Sequence, residues 1–399
     1  MIRLLIGIIA GSVAGVIFGK DAEIVKPIGD IFLNLLFVAV IPLVFFCISS
    51  AIANLQDAQK LGRIIGIMSA TFLVTVLIAA LVTIAAVWLF PIHQLAGSVF
   101  PPVTQPAGKH LSGDQITQLF TTDEFFELLS RKNMLAMIIF AILVGFGTLK
   151  TGEKGQDFRR FLNAGNEVFK QVFVLIMKPA PIGLGAYFAY QVALFGPSLF
   201  GTYAHTLGIG YGVSIFYYAV FFSLYAFIAG GLKGIKTYWK NNIIPSATAI
   251  GTCSSIATIP ANLDAAKKMG VSDEITGVTI PLGGTLHKEG SSISSILKMV
   301  VVFAMFGRSF NSPEVIILAL GMTVLVSIVE GGIPNGGYVG EILFISAYGF
   351  PPEALPPAII IGTLIDPVAT LLNATGDTAS AMMINRFVNG KGKMTVGSA

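Results

Sequence analysis

Four polar side chains near the end of the chain, Asp366, Thr370, Asn373 and Asp377, are spaced by four, three and four residues. That spacing puts them on one face of an α-helix. Their neighbours are mostly apolar. An acidic residue at the centre of a hydrocarbon layer costs about 2.5–3.5 kcal/mol, so two on one stripe call for a cavity, an ion or a ligand; the competing reading is a stripe satisfied by neighbouring helices. Within it, Asn373-Ala374-Thr375-Gly376-Asp377 holds a glycine where backbone can be exposed to a ligand or ion. A second charged knot, His287-Lys288-Glu289, interrupts an otherwise apolar run from Ile275 to Phe306. Adjacent helix positions do not share a face, so some unwinding is expected there. Lys288 needs a partner, and Glu289 or Glu330 can serve; alternatively its long stem carries the ammonium to water.

Catalytic constellations are absent from the sequence pattern. His93, His110, His205 and His287 never pair at metal-ligand spacing. Ser254 and Ser255 lack a nucleophile-elbow context, and no phosphate-binding loop carries a lysine. The chain therefore reads as a non-enzyme without a nucleotide-driven pump, and no organic cofactor is implied. Cys47 and Cys253 both lie in apolar surroundings and read as buried free thiols.

The elements that carry these residues are set by composition. Of 399 residues, 54% are hydrophobic and 12% charged, with a mean hydropathy of +0.80. A soluble domain carries about 25% charged residues. Apolar stretches such as Ile64–Phe90, Met134–Leu149 with its flanks, and Leu207–Ile228 are long enough to cross roughly 30 Å of hydrocarbon as helices. An all-α polytopic membrane protein is expected. Leu4–Phe18, after Arg3, reads as a retained span and not a removed signal peptide. With the N-terminus inside and spans alternating, most cations fall on the cytoplasmic side, among them Lys60, Arg63, Lys150, Arg159, Arg160, Lys233, Lys240, Lys267 and Lys268. They are dispersed, so nucleic acid is not an expected partner; the lipid bilayer is.

Residues 1–242 read as six spanning helices. From Ile243 the hydrophobic segments become short and are broken by Ser, Thr, Gly and Pro, which marks 243–399 as a second functional unit. Two interrupted tips recur there, CSSIATIP at Cys253–Pro260 and EGGIPNGG at Glu330–Gly337. Each is followed by a helix with polar residues at its centre. Irregular backbone at membrane depth is tolerated only where protein buries it or water reaches it, and paired interruptions in two halves point to a transporter's binding site. Two ordinary helices kinked at proline are the alternative.

At this point the residues resemble a known family. Asn373-Ala374-Thr375-Gly376-Asp377 on a terminal helix, Ser254-Ser255 with Ile259-Pro260 in the first tip, and Gly-Ile-Pro-Asn-Gly-Gly in the second are similar to the glutamate transporters, also called dicarboxylate/amino acid:cation symporters. The likeness covers nearly the whole chain, including Ile41-Pro42 and Ala180-Pro181-Ile182-Gly183. It implies a homotrimer whose subunits each carry eight transmembrane helices and two re-entrant hairpins in an inverted-repeat core. A scaffold and a moving transport domain would work as an elevator in the cytoplasmic membrane.

The resemblance further implies that Asp366 binds a substrate ammonium, and that Asn373, Ser254 and Ser255 bind its α-carboxylate. Ser291, Thr370, Ala369, Ile333 and Gly337 belong to the same substrate site. Where acidic-substrate members have an arginine, this chain has Ala369, and Gly362 replaces the aspartate that steadies it. A small neutral amino acid such as alanine, serine or threonine is therefore expected, with a larger apolar amino acid or cystine as further candidates; a conventional symporter of acidic amino acids or dicarboxylates is the alternative. Asp377, Asn373, Gly283, His287, Glu289 and Thr75 fall at cation positions, with sodium or a proton as coupling ion. Because His287-Lys288-Glu289-Gly290-Ser291 stands where the family reads Asn-Met-Asp-Gly-Thr, reduced or absent sodium dependence is expected, with Lys288 and Glu330 as a cation-replacing pair. A channel, an intramembrane enzyme and a non-transporting amino-acid sensor are the rival classes.

Overall fold

A computed structural model of the chain describes residues 2–54, 62–92, 121–130, 133–195, 198–330 and 337–390. Ile333, assigned above to the substrate site, lies outside the described residues, as does most of the second tip. Every regular element among the described residues is helical.

The first group of helices is α1 (Ile2–Phe18), α2 (Lys26–Ala53), α4 (Met134–Thr151), α5 (Gln156–Met177) and α6 (Ala180–Phe195), which pack on one another. Helix α1 lies along α6. Its Gly7, Gly11 and Gly15, four residues apart, meet the backbone of Pro181, Gly185 and Ala189 so closely that no side chain fits between. This is the small-residue contact by which helices approach when lipid offers no hydrophobic drive. The opposite face of α1 exposes Ile6, Ile9, Val13, Val16 and Ile17.

The second group is built around α12 (Glu289–Met305) and α15 (Leu355–Asn389). Ser292–Met305 and Leu372–Asn385 are buried throughout. Against them pack α3 (Gly62–Leu89), α7 (Ser198–Phe216) and α8 (Phe222–Asn241), so α3 joins the second half of the chain although it precedes α4. A π-helical turn at Tyr217–Phe221 links α7 to α8, and α8 is kinked at Gly230–Gly231, where Gly231 takes φ +64°.

Two helical hairpins complete this body. In the first, α9 (Ile243–Thr252) ends at Cys253 in the left-handed region (φ 48°), and Ser254 caps α10 (Ser255–Lys268) by accepting from Ala257 N at 3.2 Å. In the second, α13 (Pro313–Val329) runs to Glu330 and α14 (Gly337–Ala347) returns beside it. A polar helix break lies between α11 (Asp273–Leu286) and α12, where His287 and Lys288 leave helical geometry, as the charge pattern predicts, whereas the polar helix after the second hairpin, α15, is continuous.

Four helical stretches among the described residues are long and apolar enough to cross a membrane: Arg63–Leu89, Ala136–Met177, Gly201–Asn241 and Pro352–Asn389. The hairpin arms Ile243–Thr252, Pro313–Val329 and Gly337–Ala347 are apolar but shorter.

Candidate functional site

The polar stripe of α15 is divided between two environments. Asp366, Thr370 and Asn373 line a cavity of about 700 Å³ together with Ser254, Ser255, Ser291, Ala369 and Gly337. Thr370 Oγ1 donates to Asp366 Oδ1 at 3.3 Å. Asn373 is clasped by the unwound start of α12: its Oδ1 accepts from Ser291 N at 3.1 Å and its Nδ2 donates to Ser291 Oγ at 3.1 Å. The N-termini of α10 and α12 both reach this cavity through Ser255 and Ser291. Helix N-termini carry partial positive charge and unsatisfied N–H groups, which suits a carboxylate. The cavity thus offers the Asp366 carboxylate together with hydroxyls, an amide and two helix starts.

Asp377 faces elsewhere. It is fully buried and meets His287, whose Nδ1 stands 3.1 Å from Asp377 Oδ1. The other ring nitrogen is 2.8 Å from Thr75 Oγ1 and 3.7 Å from Glu289 Oε1. Phe72 stacks on the imidazole with centroids 4.2 Å apart. Tyr217, aimed inward by the π-turn, donates to Glu289 Oε1 at 3.2 Å and lies 2.8 Å from Tyr225 Oη. Gly283 and Gly376 allow this convergence, because a Cβ at Gly283 would strike the Asp377 carboxylate and one at Gly376 the Glu289 carboxylate. Gly376 is helical and buried, so its smallness serves close approach of Glu289; the expected exposure of its backbone to a ligand is not found.

The residues placed at cation positions, Thr75, Gly283, His287, Glu289 and Asp377, are therefore brought together, while Asn373 belongs to the cavity. Lys288 and Glu330 line that same cavity. Lys288 Nζ donates to Gly284 O at 2.7 Å, and Glu330 Oε1 is buried without a hydrogen-bond partner among the described residues. Cys253 is only partly buried and also lines the cavity, unlike the enclosed Cys47.

Sequence reasoning missed one pair. Lys298, deep in α12, forms a buried ion pair with Glu341 of α14, Nζ to Oε1 3.0 Å, and both line the cavity. The signal was present: a lysine in the middle of Ile293–Met305 has no apolar explanation.

Comparison with known proteins places the chain in a family. Residues 1–387 match the sodium:dicarboxylate symporter family. The chain belongs to that family. The symporter is 27% identical over 410 residues to the proton/sodium-glutamate symport protein of Bacillus caldotenax, covering 96% of this chain and 93% of the relative. It is 26% identical to the C4-dicarboxylate transport protein of Rhodopseudomonas palustris (strain ATCC BAA-98 / CGA009), over 96% and 87% of the two chains. With the proton/sodium-glutamate symport protein of Bacillus subtilis (strain 168) it shares 25%, over 96% and 92%. The symporter is thus a multi-pass membrane protein and a cation-coupled transporter, not an enzyme, and its long apolar helices with outward Ile and Val belong to the glutamate-transporter membrane fold.

Proposed function

We propose that this symporter carries an α-amino acid across the cytoplasmic membrane. The observation that carries the reading is the polarity of the cavity, with Asp366 for the ammonium and Asn373, Ser254, Ser255 and Ser291 for the α-carboxylate. The relatives are named for glutamate and C4-dicarboxylates, and this favours an acidic substrate over the small neutral amino acids suggested by Ala369 and Gly362. A plain dicarboxylate would set Asp366 against negative charge.

In this reading each subunit has eight transmembrane helices and two re-entrant hairpins, with the N-terminus inside. Helices α1, α2 and α4–α6 form the scaffold of a homotrimer, while α3, α7 and α8 travel with residues 243–389 as the elevator. The packing of α3 on α12, α13 and α15 supports that division. Sodium dependence is reduced, because the His287 ring already fills the space between Asp377 and Thr75; Lys288 and Glu330, in one cavity, add a built-in cation and a place for a proton. Uptake of labelled amino acids into proteoliposomes tests the reading. Concentrative uptake driven by a sodium or proton gradient is expected; equilibration of ions without substrate would indicate a channel, and binding without flux a sensor.

A further inference from the structure

Gly362 and Asp366 lie about one turn apart on α15, about 6 Å along the axis, on the face that lines the cavity. A Cβ at Gly362 would sit 2.6 Å from Glu341 Oε1 and 3.1 Å from Lys298 Nζ. The ion pair therefore occupies the volume that a side chain at 362 would fill. A Cβ at Gly337 would be 3.8 Å from Lys298 Nζ, so two glycines flank the ammonium and leave its approach open to a ligand. An ammonium has three N–H groups, and Glu341 Oε1 stands at 3.0 Å from it.

We propose that Lys298, held in place by Glu341, receives the side-chain carboxylate of an acidic amino acid whose ammonium lies on Asp366. This rests on the amino-acid reading above and names its side-chain class. The cation missing from position 369 is supplied from another helix, and the carboxylate missing from position 362 by α14. Glu330 lines the same cavity, and its Oε1, without a hydrogen-bond partner among the described residues, offers a place for a proton that enters with the substrate.

Removing Lys298 alone would strand a buried carboxylate, so the decisive variant is Lys298→Met with Glu341→Gln, compared with Lys298→Arg, Glu341→Asp and Asp366→Asn. Binding of labelled aspartate, glutamate, glutamine, alanine and succinate to each purified protein is measured. The double substitution is expected to weaken aspartate or glutamate by about 100-fold or more relative to glutamine and alanine, while Lys298→Arg and Glu341→Asp keep the acidic preference. An unchanged acidic-to-neutral ratio in the double variant, or a native preference for neutral amino acids, would overturn the proposal. Asp366→Asn separates the two readings. It should abolish both amino-acid classes; succinate binding lost in the double variant but kept in Asp366→Asn would remove the ammonium site and leave Lys298 standing. Binding of none of the five by native protein overturns both.

Discussion

Among the described residues Asp366 has a single side-chain hydrogen bond, from Thr370, and it lines the cavity, where its charge can meet a ligand. Asp366→Asn is expected to weaken amino-acid binding by about 100-fold or more without lowering thermal stability, as followed by ligand binding and melting in detergent; near-native affinity would take Asp366 out of the site. His287 makes the opposite case. Its two nitrogens and one ring face are all engaged, by Asp377, Thr75 and Phe72. Shortening it in His287→Asn vacates space beside Asp377 and Thr75, and should convert a weak sodium dependence of substrate affinity into a steep one. Equal sodium dependence of both proteins would argue against the imidazole standing in for the ion. The stripe Asp366–Asp377 was legible because helical spacing is a local property. Lys298 and Glu341 were not read as a pair, because they come from different helices and only tertiary packing shows that each answers the other.

Helix contacts here depend on the absence of side chains as much as on their presence. Gly290, beside Asn373's partner Ser291, lies against the backbone of Ala369, where a Cβ would overlap it. Gly290→Ala is expected to destabilise the protein by about 1–3 kcal/mol or more and to impair substrate binding, because Ser291 of α12 and Asn373 of α15 meet at the lining of the cavity. A thermal unfolding series with and without substrate measures both effects. Gly11→Leu acts on the contact of α1 with α6, whose Arg3 and Pro181 border the cavity: it should lower the melting temperature and weaken substrate binding less than Gly290→Ala does. A larger loss of affinity than in Gly290→Ala would contradict this. The break at His287–Lys288 and the first hairpin tip were readable, since adjacent opposite charges and Ser-Ser-Ile-Ala-Thr-Ile-Pro interrupt an apolar pattern. Why Gly376 is glycine was not, since the carboxylate it accommodates comes from Glu289 on another helix.

Across the whole molecule, the helices sort into one group that includes the close α1–α6 glycine contact and another whose centre is polar. In the proposed reading the first is the fixed support and the second the carrier. A symporter of this family couples its substrate to a cation, and Glu330 in the cavity, with Oε1 free of hydrogen-bond partners among the described residues, gives a proton a place within the site itself. The most direct measurement is uptake of labelled glutamate or aspartate into proteoliposomes under a sodium gradient, a proton gradient and none. The account predicts accumulation against the substrate gradient when a cation gradient is imposed, with the proton gradient at least as effective as sodium, and no accumulation without either; uptake indifferent to both gradients would contradict it.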